Sequence, residues 1–535
     1  MKVRNVGKEK GSRGALLGGA ASLTMAAIAV KVLGLIYKVP LARILGDEGM
    51  GYFNSAYTVY SFFYLLATAG VPKAISMMTS ESSARGLVKT ERKICRVAMT
   101  TFLIGGILVT AAFLLLARPL ATLIGNRNAA PTMVAIAPSL FFISLGGVIR
   151  GVLAGHSRLM PIAVSETVSG TGKLAFGLFF AMLAKRRGMP LPLISAFSIF
   201  GITLGAFFGF LVLMVSSDIG FFKKPKEETG QNTDERKESA GRILARLFHV
   251  ALPVTVSSAV MSLCSLVDLG MIMKRLCAVG YEEGQAAALY GNYTTLALPM
   301  FNLIAAVVAP VSVAVLPLLT ARFAVGEKEE FATVAKSAYE IVAFLAVPAA
   351  TMLALFGEPI LSLIFPAESA RIAAPLLTAL APAMIFMALL TVVNTTLEAS
   401  GFVSAPLLSM GIGAIVKIAV GYFLIGNERF GILGAPLGTV ASYGVGLVFS
   451  LCILHRKTGV GAPLFSVLYR PFLFSLSAAA VSFLSFRVLD GHIRGMLLSV
   501  VPLCVGVAIY LLLSFLCGSL HPEKLKILTK YTKKR

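Results

Sequence analysis

With 535 residues, of which 57% are hydrophobic and only 14% charged, the chain is too apolar for a soluble domain. Its apolar residues form runs of about 20, the length at which a helix crosses the hydrocarbon core, and these runs lack the alternation of barrel strands. A net charge of +23 would suggest nucleic acid as the partner of a soluble protein, but most basic residues here lie at the ends of apolar runs. The composition predicts an all-α polytopic membrane protein and argues against nucleic-acid binding.

The apolar runs predict fourteen transmembrane helices. The first run is long and lacks a convincing cleavage site, so we interpret it as a retained helix rather than a signal peptide. An even number of spans puts both termini on one side, and the basic tails and the basic loops at 79–93 and 455–470 predict that this side is cytoplasmic; the triplet at 185–187 opposes this orientation. The predicted spans are 14–38, 50–78, 94–117, 130–154, 160–184, 191–216, 246–273, 286–318, 331–356, 372–397, 402–425, 431–454, 468–488 and 495–517.

A polar segment of mixed charge, 217–245, divides the chain, and the two sides of it repeat each other. A shift of 238 residues aligns Pro72 with Pro310, and a shift of 244 aligns Lys173 with Lys417. Six spans in each half make the repeats parallel, which predicts two lobes around a central cavity, as in transporters that work by alternating access. The predicted parts are an N-terminal lobe at 1–216, a cytoplasmic linker at 217–245, a C-terminal lobe at 246–456, and spans thirteen and fourteen with a basic tail at 457–535.

Two lysines, Lys31 and Lys38, lie in the first apolar run. Their spacing puts them on one helix face, roughly 10 Å apart along the axis. A charge inside the bilayer costs at least a few kcal/mol, so we interpret the pair as the cationic wall of a cavity that binds an anion. The alternative for Lys38 is that its side chain reaches the head groups.

Lys173 and Lys417 lie in the middle of repeat-equivalent spans. They either extend the cationic surface of the cavity or hold each lobe together through an ion pair or a backbone contact. Glu166 lies on the same helix face as Lys173 and belongs to the same predicted polar network. Arg150, at the end of span four, is either an interfacial anchor or a guide for phosphate.

Three carboxylates are candidates for coupling transport to an ion: Asp268 inside span seven, Glu166, and Glu398 at the end of span ten. Asp268 is alternatively an ion-pair partner of a cavity lysine, and Glu398 is alternatively interfacial. Asn54, Tyr57 and Tyr60 lie in span two, where tyrosine faces suit stacking on sugar rings and hydroxyls suit a wet cavity. The alternative for each tyrosine is ordinary helix packing.

Catalytic signatures are missing from the sequence: it has no Walker A loop, no GxSxG and no HExxH motif. Its six cysteines form no CxxC pair and no metal-ligand spacing. We therefore expect no enzyme activity, no metal and no cofactor, and we expect transport to be driven by an ion gradient of Na⁺ or H⁺, by the membrane potential or by a partner.

Five stretches of the chain are distinctive: KVLGLIYKVPLARILGDEGMGYF, AGVPKAIS, VDLGMIMKRL, ALYGNYTTLALPMFNL and LLTVVNTTLEASG. They resemble the multidrug/oligosaccharidyl-lipid/polysaccharide flippase superfamily, in particular its stage V sporulation protein B and polysaccharide biosynthesis branch, which is related to the MurJ-type lipid II flippases. The resemblance implies export of an undecaprenyl-pyrophosphate-linked sugar, with the basic residues of span one on Lys31 and Lys38. The chain departs from the MurJ-type pattern at Val39, where that pattern has an acid, and at the neutral stretch 292–295, where it has a basic residue.

We therefore expect a flippase of the cytoplasmic membrane that exports a lipid-linked oligosaccharide, a peptidoglycan precursor or another cell-envelope glycan. The expected partners are this substrate, membrane lipids and cell-wall synthesis proteins. Its polyprenyl tail is expected to stay in the bilayer or to lie in a groove formed by spans thirteen and fourteen. The alternatives are a cation-coupled multidrug exporter of the same superfamily, a membrane-embedded glycan polymerase, and a scaffold that transports nothing.

Overall fold

The computed structural model describes residues 3–217, 239–402, 404–489 and 496–517, with side chains from residue 33 onward except at 35, 257, 260, 261 and 496. Within these ranges the chain is helical and has no strand. A 3₁₀ turn precedes α4 and another precedes α15, and a π-helix, Tyr293–Ala297, joins α9 to α10. The α-helices are α1 Val3–Thr68, α2 Val71–Ala84, α3 Val88–Leu123, α4 Ala130–Ile136, α5 Pro138–Gly155, α6 Met160–Arg186, α7 Leu191–Ser216, α8 Ala240–Ala278, α9 Glu283–Asn292, α10 Leu298–Val325, α11 Lys328–Leu355, α12 Gly357–Ile364, α13 Ala367–Ala399, α14 Ala405–Ile425, α15 Gly434–Thr458, α16 Leu464–Leu489 and α17 Met496–Leu516.

Twelve stretches of the described chain are long and apolar enough to cross a membrane. Each of them coincides with one predicted span. The two predicted spans without a counterpart, 14–38 and 246–273, contain residues whose side chains are not described. The chain is therefore a multi-pass helical membrane protein, as predicted, and the count of fourteen spans stays a prediction.

The helices form two compact units. The first unit comprises Met1–Met273 and Glu283–Gly291, and the second comprises Lys274–Glu282 and Asn292–Arg535. Most of the predicted linker, 218–238, lies outside the described residues. The first unit thus takes in most of α8 in addition to α1–α7, and the predicted lobe boundaries stay predictions.

The first helix, α1, consists of two helical arms that form a hairpin. Gly46 interrupts α1 with φ 65° and ψ −175°, a backbone conformation that essentially only glycine adopts. The rings of Tyr37 and Phe53 lie on opposite sides of this break, and their centroids are only 6.1 Å apart. In a continuous helix the rise between these two positions would be about 24 Å. The chain therefore folds back at Gly46, which places the two arms of α1 side by side.

Small residues let α6 cross α7 at close range in the first unit. A Cβ placed on Gly201 would lie 2.3 Å from the backbone nitrogen of Gly177 and 3.0 Å from the carbonyl oxygen of Lys173. In the second unit α14 crosses α15 in the same way, since a Cβ on Gly438 would lie 3.0 Å from the carbonyl oxygen of Lys417. Such contacts are typical of membrane helices, which associate through close packing rather than hydrophobic burial.

The same three pairs of positions meet in both crossings. They are Ser165 with Gly209, Gly172 and Ser169 with Gly205, and Gly177 with Gly201 in the first unit, and Ser409 with Gly446, Gly413 with Ser442, and Gly421 with Gly438 in the second. The repeat that the sequence predicts around the two mid-span lysines thus has a structural counterpart in each unit.

Candidate functional site

One cation of the first unit lies between two tyrosine rings. The Nζ atom of Lys173, on α6, is 5.3 Å from the ring centroid of Tyr37 and 5.4 Å from that of Tyr57. These tyrosines belong to the two arms of the α1 hairpin. The face of an aromatic ring attracts a cation by about 0.5–2 kcal/mol, depending on how well water is excluded. The two rings therefore stabilise the charge of Lys173 inside the membrane-spanning part of the chain.

Tyr37 is fixed in place by α6 and α7. Its side chain is almost completely buried, and its hydroxyl donates a hydrogen bond to the carbonyl oxygen of Ser198 on α7, at 3.1 Å. Gly177 on α6 makes room for the ring, because a Cβ there would lie 2.7 Å from the tyrosine hydroxyl oxygen. The close crossing of α6 and α7 thus determines where Tyr37, and through it Lys173, is held.

Lys38 directly follows Tyr37 and is half-buried. The residue before it, Tyr37, carries the ring against which Lys173 lies, so the two lysines belong to the same neighbourhood of the first unit. Two ammonium groups in surroundings of low dielectric constant repel each other, and an anion that touches both replaces this repulsion with attraction. Tyr37, Lys38, Tyr57 and Lys173, here called the lysine–tyrosine cluster, therefore form a site whose electrostatics favour an anion.

Four aromatic rings run along the second arm of α1. Successive ring centroids of Phe53, Tyr57, Tyr60 and Tyr64 are 6.4, 5.9 and 6.0 Å apart. Of the two tyrosines predicted to contact sugar, Tyr57 is 41% exposed and Tyr60 only 4%. Asn54 is likewise buried. Tyr57 is therefore the most exposed ring of this row, and Tyr64 is half-buried.

Other predicted residues of the first unit lie outside the cluster's contacts. Arg150 is half-buried on α5, and its Nε atom has no hydrogen-bond partner among the described residues. Glu166 is half-buried on α6 and forms no ion pair with Lys173 in the described part of the chain. Asp268 is half-buried on α8. The side chain of Lys31 lies outside the described residues.

The second unit holds the two remaining predicted residues. Lys417 is half-buried on α14. Glu398 is exposed at the end of α13. Throughout the described residues, no group of three or more His, Cys, Asp or Glu side chains is arranged to hold a metal ion.

Neither Tyr37 nor Ser198 is predicted as a site residue from the sequence. Tyr37 lies between the two lysines of the first span, and its ring is the centre of the cluster. The signal that could have pointed to Tyr37 is its position next to Lys38, in a span whose neighbouring spans contain glycines that allow close helix packing. Ser198 acts through its backbone carbonyl, for which a side-chain pattern gives no signal.

Comparison with known proteins decides the family. The family model described as "Polysaccharide biosynthesis protein" matches residues 16–323, more than half of the chain. The chain belongs to this family. A second family model, MatE, matches residues 291–423. The predicted membership of the flippase superfamily is thereby confirmed.

Curated relatives of this family member cover it almost end to end. The protein "Lipid II flippase MurJ" of Bacillus subtilis (strain 168) is 24% identical over 542 residues, which is 95% of this chain and 96% of that protein. "Stage V sporulation protein B" of the same organism is 22% identical over 443 residues, 83% of each chain.

Solved structures show that the fold is shared. The structure of lipid II flippase MurJ in an inward closed conformation has a TM-score of 0.68 at 16% identity and covers 92% of this chain and 97% of its own. An inward-facing multidrug resistance MATE family transporter of the MOP superfamily has a TM-score of 0.64 at 14% identity and covers 80% and 94%. At these identities the likeness concerns the fold alone.

Proposed function

We propose that the protein is a flippase that exports an undecaprenyl-pyrophosphate-linked oligosaccharide, a peptidoglycan precursor or another cell-envelope glycan, across the cytoplasmic membrane. The observation that carries this proposal is the lysine–tyrosine cluster, which places Lys173 against the ring of Tyr37, next to Lys38, in a multi-pass membrane protein. A pyrophosphate is the part of a lipid-linked sugar that such cations attract. The flippases among the relatives support the same class of substrate.

In this proposal Lys38 and Lys173 contact the pyrophosphate, and Lys31 adds a third positive charge from the same arm of α1. Tyr57, the exposed ring of the cluster, stacks on the sugar. The cations are lysines, so they attract the phosphates as point charges without the bidentate geometry of arginine. The polyprenyl tail stays in the apolar phase of the bilayer or lies in a groove formed by spans thirteen and fourteen.

Transport proceeds by alternating access of the two lobes around a central cavity, with both termini in the cytoplasm. The membrane potential opposes export of an anion by about 2.3 kcal/mol per charge per 100 mV. Return of the carrier with a bound Na⁺ or H⁺ supplies the driving force. Asp268, Glu166 and Glu398 are the candidates for holding that cation, and Lys417 and Arg150 are the further candidates for contact with the substrate.

A cation-coupled multidrug exporter is the alternative function, and the likeness of the fold to MATE transporters favours it. Exporters of cationic drugs need acidic binding sites, however, and the lysine–tyrosine cluster is basic. The charge of the cluster therefore favours the lipid-pyrophosphate substrate.

The two functions differ in what the protein moves in liposomes. We expect the purified protein to flip a labelled polyprenyl-pyrophosphate-linked sugar and to leave a fluorescent cationic drug on its original side under the same Na⁺ and H⁺ gradients. Drug accumulation without flipping of the lipid would contradict the proposal. Empty liposomes and a glycerophospholipid with the same label are the controls for leakage and for unspecific scrambling.

Tyr57 supplies a second test. Tyr57→Leu removes one of the two rings that position Lys173, so we expect the Kd for the labelled pyrophosphate lipid to rise about threefold, the equivalent of a cation–π contact of about 0.7 kcal/mol. Tyr57→Phe keeps the ring face and should bind within twofold of the wild type. Equal Kd values for the leucine and phenylalanine variants would show that the ring plays no part. Binding is measured by fluorescence titration in detergent.

A further inference from the structure

The second unit contains an apolar groove that no step of the proposed transport uses. It lies between α11, α13 and α16 and has a volume of about 790 Å³. Ala350, Ala354, Ile385, Phe465, Phe472 and Leu476 are among the residues that line it. Its size falls within the range of small-molecule sites, and its lining suits a hydrocarbon chain.

A charged pocket of about 530 Å³ adjoins this groove. The two cavities share Phe465 and Tyr469, whose rings stack with centroids 5.9 Å apart and form the wall between them. Lys336 of α11 and Arg470 of α16 line the charged pocket together with Glu340. The groove and the charged pocket together are amphipathic, because the apolar groove ends at two cations and one carboxylate.

The charges of the pocket indicate the kind of head group that fits. Two cations and one carboxylate give the pocket a net charge of about +1, which attracts a phosphate diester, while a carboxylate accepts hydrogen bonds from hydroxyl groups. Both cations are exposed, as groups in the head-group layer are expected to be. Arg470 lies near the start of α16, and the basic residues Arg456 and Lys457 at the end of α15 predict a cytoplasmic position for this end of the helix, so we expect the pocket to open to the inner leaflet.

We propose that the groove and the charged pocket together bind one anionic glycerophospholipid of the inner leaflet. Its phosphate lies at Lys336 and Arg470, its head-group hydroxyls contact Glu340, and an acyl chain fills the groove past Phe465 and Tyr469. The cations that hold this phosphate differ from Lys38 and Lys173. The occupant is therefore a resident membrane lipid rather than the exported substrate.

Native mass spectrometry of the full chain tests this proposal without any measurement of flipping. With phosphatidylglycerol and phosphatidylcholine supplied in equal amounts, we expect phosphatidylglycerol to be retained at least fivefold more often. The double variant Lys336→Ala/Arg470→Ala should lower this retention at least threefold. Lys328→Ala removes an exposed cation of the same helix that does not line the pocket, and it should leave retention unchanged. Equal retention of both lipids, or an equal loss in the Lys328 variant, would overturn the proposal.

A second variant tests the groove with the cations in place. Ala354→Phe fills the apolar groove, so we expect this variant to retain less phosphatidylglycerol. In a separate measurement on the wild type, we expect that inorganic phosphate, even in excess, does not displace the bound lipid. Displacement by inorganic phosphate would mean that the pocket recognises an anion without an acyl chain. Displacement by a polyprenyl phosphate at lower concentration than phosphatidylglycerol would instead assign the groove to the tail of the substrate. Either result rejects a resident glycerophospholipid.

Discussion

Replacing Lys38 and Lys173 together by alanine should lower the rate of lipid-pyrophosphate flipping in liposomes at least tenfold. Each lysine is proposed to contact the pyrophosphate, and a hydrogen bond to a charged group contributes about 1.5–3 kcal/mol. A loss of about 1.4 kcal/mol is a factor of ten, so one lost contact accounts for the expected minimum. The double variant also removes the cost of holding two ammonium groups inside the membrane, so the protein should fold at least as well as the wild type.

The matched control removes a positive charge next to the end of α6 without touching the cluster. Arg187 is exposed just beyond the end of α6, and Arg187→Ala should flip the lipid at the wild-type rate. Lys38→Arg/Lys173→Arg, which keeps both charges, should retain more activity than the alanine variant. An alanine double variant that is as active as the Arg187 control would remove the cluster from the transport mechanism.

Placing a β-branched residue at the α6–α7 crossing should destabilise the first unit and disturb the lysine–tyrosine cluster at the same time. A Cβ on Gly201 would lie 2.3 Å from backbone, so Gly201→Val forces the two helices apart. Overpacking typically costs about 1–3 kcal/mol, and the shift also displaces Tyr37 from Ser198 and Lys173 from its rings. We expect a lower thermal unfolding midpoint in detergent together with loss of flipping.

Two glycines elsewhere serve as references for this change. Gly105 on α3 has open space where a Cβ would be added, so Gly105→Ala should leave the midpoint unchanged or raise it slightly. At Gly438 the added Cβ would lie 3.0 Å from its nearest neighbour, so Gly438→Ala should be milder than Gly201→Ala. If all three alanine variants unfold at the same temperature, close approach at Gly201 does not limit stability.

Helical membrane architecture could be predicted from the sequence because hydrocarbon thickness and backbone hydrogen bonding leave few options for apolar runs of this length. The repeat around Lys173 and Lys417 was also visible, since equivalent residues keep the same spacing. The structure adds a physical reason for that spacing: small residues recur where α6 crosses α7 and where α14 crosses α15.

The partners of the embedded lysines could not be predicted in the same way. Helical periodicity places Lys38 on a face of its own helix, but it does not say which residue of another helix lies opposite. The sequence predicts that Lys173 either lines the cavity or makes an ion pair or a backbone contact within its lobe, but it does not predict that the side chain lies between the rings of Tyr37 and Tyr57. Such contacts depend on the fold-back at Gly46, which the continuous helical pattern of the sequence does not reveal.

The hairpin at Gly46 also bears on how the chain enters the membrane during synthesis. Tyr37 and Tyr57 precede Lys173 in the chain, so the ribosome produces both rings before α6 emerges. A lysine at the centre of a lone helix enters the bilayer at a cost of about 2.5–3.5 kcal/mol on insertion scales, and two cation–π contacts offset a substantial part of it. The two arms of α1 therefore already offer contacts for Lys173 when α6, which inserts poorly by itself, enters the membrane. The order of the residues along the chain is also the order in which the cluster is assembled.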